Sequence, residues 1–296
     1  MRQLRQEEAI ALAEKRPPSV RARQLASELR RLREAATLTG EAAAAALGWS
    51  PSKISRVETS RIAVSAADLR RLLDLYQISG SLRERLTELG RTAGQRGWWD
   101  AYADATTSGY SALLALEADA ESERHFAPII VPGLLQTERY VHEITRSSLL
   151  IAPPGEIARL AQVRMNRQKV LTGDKPLRLH VILDESVLRR QIGDAETMKG
   201  QLSHLAELAG RPNITLQVLP FTAGPHLSLS GVFTIVRFPE KIAFEVVFLE
   251  NMTSDLFIEN GIEVYRYGLA FDRLRELALE EDKSIAMISR LAAEAG

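Results

Sequence analysis

The chain has 296 residues, 45% of them hydrophobic, enough for two folded domains of ordinary composition. It has no cysteine, so disulfides and thiolate chemistry are excluded, and apolar runs such as Leu149–Ala152 and Ile129–Pro132 are too short to span a bilayer. The 38 basic and 38 acidic residues are unevenly spread: residues 1–93 hold 17 against 11 and can approach phosphate, while the net-negative remainder would be repelled by it.

Residues 1–20 carry a weak apolar pattern, Ile10 and Leu12, ended by Pro17-Pro18, and read as an N-terminal arm. Arg2, Arg5, Lys15 and Arg16 would permit contact with a DNA backbone, although a solvated tail is the simpler reading. Residues 21–93 read as five short helices. Leu25, Leu29 and Leu32 form the apolar stripe of the first. Thr39 caps the second, with Ala42 where a capping box would hold Glu or Gln, and Gly48 ends it. Ser50 caps the third, with Pro51 at its first position, where a missing N–H costs nothing. Ile54 and Val57 face inward together, leaving Ser52, Lys53, Ser55 and Arg56 outward. Leu69, Leu72, Leu73 and Tyr76 suit a fourth helix, and Leu82, Leu86 and Leu89 a fifth.

The stretch from Leu38 to Arg61 resembles the Cro/repressor class of helix-turn-helix proteins (XRE-type), on Leu38, Thr39, Ala44, Gly48, Ser50, Ile54, Val57 and Glu58. The resemblance implies binding to double-stranded DNA, with an ion pair between Arg33 and Glu58 aiming the recognition helix. Arg61 and Thr39 would meet phosphate, and Arg56 is the best candidate for a base contact, since Arg to guanine is the commonest specific pairing. Ser50, Pro51, Ser52, Lys53 and Ser55 complete the expected contact surface. Gly40 departs from the Gln common in that class, so no side-chain phosphate contact is expected there. A homodimer is expected, because one recognition helix covers only a half-site.

Residues 94–109 form a connector, with linker signals at Gly94, Gly97 and Gly109. Trp98, Trp99 and Tyr102 argue that it packs onto a neighbouring surface; a contact site for a ligand or partner is the sharper alternative. Residues 110–296 form the C-terminal domain. Helices are expected around Leu113–Phe126, from Leu134 and over Ile157–Leu171, with Ile129–Val131 extended before Pro132-Gly133. Arg159, Arg164, Arg167 and Lys169 would line a solvated helix face. From residue 177 the period changes: residues 177–183, 213–219, 231–238 and 242–250 read as four strands, the last three as antiparallel neighbours joined by short loops. Helices are expected at Ser186–Gln191, Glu196–Ala209, Ile258–Leu279 and Asp282–Ala293. The expected whole is an α+β two-domain protein, an all-α head and a mixed domain with a mainly antiparallel sheet covered by helices.

VPGLLQTERY, LDESVLRRQIG, QLSHLAEL, NITLQVLPFTAGPH and the F-x-I-x-x-F strand of GVFTIVRF resemble the C-terminal domain of an actinobacterial group of antitoxin-like helix-turn-helix regulators. That resemblance implies a small co-encoded protein partner. No catalytic constellation is visible: the five histidines lack metal-site spacing, and there is no Gly-rich phosphate loop or nucleophile elbow. Asp184-Glu185 is explained as a helix cap, and His226 in PFTAGPH is a candidate pocket residue. No metal or cofactor is expected. Nothing resembles a signal peptide, so a cytoplasmic protein is expected. The expected function is transcriptional regulation, with a C-terminal domain that binds a protein partner. The alternatives are a small-molecule-sensing one-component repressor or an enzyme with an accessory DNA-binding head.

Overall fold

A computed structural model describes residues 20–93, 97–102, 105–148, 154–226, 231–239, 245–251 and 254–295. The N-terminal arm lies outside them. The chain divides into two compact units, one ending at Ala101 and one beginning at Tyr102.

Five helices build the first unit: α1 (Val20–Ala35), α2 (Gly40–Leu47), α3 (Pro51–Glu58), α4 (Ala66–Leu75) and α5 (Gly80–Thr92). Leu25, Leu29, Ile54, Leu72, Leu73 and Leu86 meet in one core from which water is almost excluded. The caps are local and strong. Thr39 accepts a hydrogen bond from the Ala42 N–H (3.1 Å), and Ser50 accepts one from the Lys53 N–H (3.2 Å). Gly48 adopts the left-handed conformation (φ 66°) that turns the chain between α2 and α3. A 3₁₀ helix over Trp98–Tyr102 follows.

The second unit is built on a six-stranded mixed sheet of order β3-β2-β1-β4-β5-β6. Its strands are β1 (Ser122–Ala127), β2 (Arg178–Asp184), β3 (Ile214–Leu219), β4 (Phe233–Arg237), β5 (Glu245–Glu250) and β6 (Asp255–Ile258). β1, β2 and β3 run parallel, joined through α7 (Glu138–Ser148), α8 (Pro154–Arg167), α9 (Glu185–Arg189) and α10 (Ala195–Leu208). β4, β5 and β6 add antiparallel ladders on the other side of β1. α6 (Ser108–Asp119) precedes the sheet; α11 (Gly261–Leu277) and α12 (Glu281–Glu294) close the chain.

Successive side chains of β2 point to opposite faces: Leu179, Val181 and Leu183 join a core with Leu202, Leu205 and Ile288, while Ile182 joins Phe126, Phe233, Phe271 and Leu274. No described helix is long and apolar enough to cross a membrane.

Several expectations are corrected. Ile129 and Ile130 are bends and not strand; the strand lies earlier, at Ser122–Ala127, and Phe126 is in it rather than ending a helix. β6 occupies residues expected to precede or begin a helix. β3 and β4 are not neighbours, because β2 and β1 stand between them. β4 and β5 are antiparallel neighbours, as expected, but residues 240–244 of their connection lie outside the described segments. In the cationic row Arg159 and Lys169 are exposed as expected and Arg164 is half-buried, but Arg167 is buried.

Candidate nucleic-acid interface

The first unit presents α3 on a rigid base. Arg33 of α1 donates from Nε to Glu58 Oε1 (2.7 Å) and from Nη2 to Oε2 (2.9 Å), a two-bond fork. Its Nη1 donates to the Leu38 carbonyl (2.7 Å), so one guanidinium ties α1, the α1–α2 turn and the last residue of α3. Both side chains are nearly dry, 12% and 8% exposed. The hydrogen bonds to Glu58 raise the Arg33 pKa further. Tyr76 lies in the same field; burial first, and the Glu58 charge second, push its phenol up to about 12.

Outside this base, Pro51, Ser52, Ser55 and Arg56 are exposed along α3, and Arg61 is exposed just beyond it. Arg61 is held in place by its backbone, whose N–H donates to the Arg56 carbonyl (2.8 Å). The hydroxyls of Thr39 and Ser50 are engaged as caps, accepting from the Ala42 and Lys53 N–H groups at the starts of α2 and α3. Lys53 differs from the expectation. Its ammonium is 2.9 Å from Asp68 Oδ2 on α4 and 3.8 Å from the centre of the Trp49 ring, half-buried rather than open. Arg71 also lies over Trp49, at 5.5 Å, and donates from Nη2 to the Leu47 carbonyl. Trp49, Asp68 and Arg71 were not read from the sequence, because the spacing of Lys53 and Asp68 is not that of a single helix.

The candidate contacts at the connector separate. Trp98 and Trp99 meet edge to face at 6.0 Å in the first unit, and Gly97 has no side chain because a Cβ there would lie 2.2 Å from the Trp99 ring. Tyr102 belongs to the second unit, where it lies 5.9 Å under Arg159 and accepts from Asn166 Nδ2 at 3.4 Å. His226 packs edge-on against Phe126 at 5.5 Å, with its Nδ1 buried and unpartnered. Asp184 accepts from the Ser186 N–H (2.9 Å) as a helix cap, and Glu185 binds the Phe221 N–H (2.9 Å), anchoring the loop that leads to His226.

Sequence reasoning also missed a polar cluster inside the second unit. Arg167 of α8 donates from Nε to Glu117 Oε2 of α6 (2.7 Å), with Glu123 and His125 of β1 beside the pair. Burial pushes the Glu117 and Glu123 carboxyls up to about 7 and the His125 imidazole down to about 4. Against the lowering effect of its own burial, the Glu117 carboxylate holds the Arg167 guanidinium well above its usual range. One guanidinium faces two carboxyls, and burial favours the protonated form of both acids. Among the described residues no three His, Cys, Asp or Glu side chains converge to hold a metal ion.

Comparison with family models places residues 24–86 in a helix-turn-helix domain and residues 110–290 in a domain of unknown function, DUF5753. The second match covers more than half the chain. The chain belongs to the DUF5753 family. Comparisons with curated proteins and with solved structures returned no match. The head of this DUF5753 protein is thus of the kind that DNA-binding regulators carry, with α2, the Gly48 turn and α3 inside the matched residues.

Proposed function

We propose that this protein is a sequence-specific transcriptional regulator that reads DNA with α3. The observation that carries the reading is the Arg33–Glu58 fork: it fixes an exposed helix bearing Ser52, Ser55 and Arg56, with Arg61 and two capped helix starts around it. In this reading Arg56 contacts a base edge, and Arg61, with the backbone N–H of Thr39, meets phosphate. The test is binding of the full chain to duplexes selected from a random pool. Arg56→Ala should weaken binding to the selected site by about 1–3 kcal/mol. Arg61→Ala should weaken all duplexes and lower the salt slope by about one unit. An unchanged ratio of specific to random binding in Arg56→Ala refutes the base-reading role.

The C-terminal unit is proposed to act by binding rather than by catalysis, as a homodimerising, antitoxin-like partner domain. Its outer surface supports self-association: Ile262, Tyr265 and Leu269 are 68%, 66% and 49% exposed at helical spacing on α11, and Leu256 of β6 is 52% exposed. Ile262, Tyr265 and Leu269 share one face of α11, and exposed apolar side chains grouped in this way mark interaction sites. A second copy is the occupant proposed, since palindromic half-sites require two heads. Leu269→Arg should make the protein monomeric in sedimentation; an unchanged dimer refutes this face.

The protein-partner reading rests on the resemblance to antitoxin-like regulators and is preferred over a small-molecule sensor. In the open groove at Arg139, His142, Glu143 and Thr197, Arg139 is already paired with Glu196 at 2.7 Å, so its charge is satisfied within the protein. Titrating the co-encoded small protein with and without operator DNA tests control of DNA binding, because coupling between the two sites must be reciprocal.

A further inference from the structure

Three cations stand on or beside the recognition helix, and the structure treats them differently. Arg56 and Arg61 are exposed. Lys53, three residues before Arg56 and therefore its neighbour on the helix surface, is drawn against α4. Its Nζ lies 2.9 Å from Asp68 Oδ2 and 3.8 Å from the Trp49 ring centre. The pair is only partly exposed, 30% for Lys53 and 22% for Asp68. The clamp is built from fixed parts. Asp68 lies in the first turn of α4, where its own N–H donates to the Ser65 cap (3.0 Å). Arg71 of α4 also lies over the Trp49 ring, 5.5 Å from its centre.

We infer that Asp68 is a specificity-determining residue: as an internal counter-ion, it withholds Lys53 from the DNA backbone and thereby lowers binding to random sequence. This deepens the DNA-binding reading and rests on it. The physical reason is that phosphate contacts add affinity for every sequence alike, while base contacts discriminate. A lysine at this place on the helix, if free, would add one sequence-blind contact. Paired with Asp68 it adds none, and its stem covers Trp49 instead. The carboxylate thus trades total affinity for a larger ratio of specific to random binding.

The experiment compares the full chain with Asp68→Asn, Lys53→Met and the double variant on a selected duplex and a random duplex, over a range of salt. Asp68→Asn should bind random duplex about threefold to tenfold tighter, with the salt slope steeper by about one unit, the signature of one further phosphate. The specific-to-random ratio should fall, and Lys53→Met in the same background should abolish both changes. Asp68→Asn that leaves random binding and the slope unchanged, or that weakens binding without changing the slope, overturns the inference and makes the pair a structural brace. Far-ultraviolet circular dichroism checks that each variant keeps its fold, since Lys53 sits on Trp49 and its removal would alter the fluorescence by itself. Failure of the unsubstituted protein to bind any duplex would instead overturn the DNA-binding reading itself.

Discussion

The Arg33–Glu58 fork offers the sharpest quantitative test of the head. Arg33→Met keeps the aliphatic stem but removes three hydrogen bonds, two to Glu58 and one to the Leu38 carbonyl. The Glu58 carboxylate, only 8% exposed, is then stranded with little access to water. Breaking a buried pair from one side costs about 3–5 kcal/mol, and the residual exposure places this case near about 3. A head of this size sits near the low end of domain stabilities, about 5 kcal/mol, so more than half its stability is at stake. Converting both residues to Met removes the charges together and should restore much of the loss, giving a coupling energy of about 2 kcal/mol. Urea unfolding followed by tryptophan fluorescence isolates the head, because Trp49, Trp98 and Trp99, the only tryptophans in the chain, all precede Ala101. With a urea dependence of about 1.5–2 kcal/mol/M, the midpoint of Arg33→Met should fall by about 1.5–2 M. A loss below about 1 kcal/mol, or a strictly additive double variant, would show that the fork does not hold the recognition helix.

Three further outcomes are expected. Because burial raises Glu117 and Glu123 to about 7, the folded state binds more protons than the unfolded one from about 4.5 upward, and stability falls as pH rises through 7. His125, lowered to about 4, acts oppositely between about 4 and 6.5, so the fall shows cleanly only near neutrality; calorimetry of Glu123→Gln should find that limb flattened, and an unchanged limb would refute the raised Glu123 carboxyl. Gly90→Val places a Cβ 2.5 Å from Leu69 Cδ2 and 3.5 Å from Leu25 Cδ2 in the head core, and should cost about 1–3 kcal/mol by fluorescence-monitored urea unfolding. Gln201→Leu strands the Thr137 N–H and the Leu135 carbonyl, each now 2.7 Å from the amide, and should lower the melting temperature of the second unit through a loss of about 2–4 kcal/mol.

The amino-acid sequence alone determined the head. Its caps, its Gly48 turn, the proline at the start of α3 and its leucine stripes act within a few residues, and the hydrogen bonds they make are local. Most helices of the second unit, and the strands β2 to β5, were legible for the same reason, since periodicity and β-branched runs report on nearby structure. Strand order was not. β1 reads SERHFA, with Glu123, Arg124 and His125 in succession, and no local preference marks it as the centre of a sheet. Only its two ladders, and Arg167 arriving from α8 beside Glu117, make that strand stable in the interior. The parallel course of β2 and β3 likewise follows from the intervening helices crossing back over the sheet, which places β3 and β4 apart. Lys53 shows the same limit at the candidate site. The sequence determined that it stands on the outward part of α3; only the packing of α4 decided that its charge faces Asp68, because an ion pair between two helices depends on their tertiary placement.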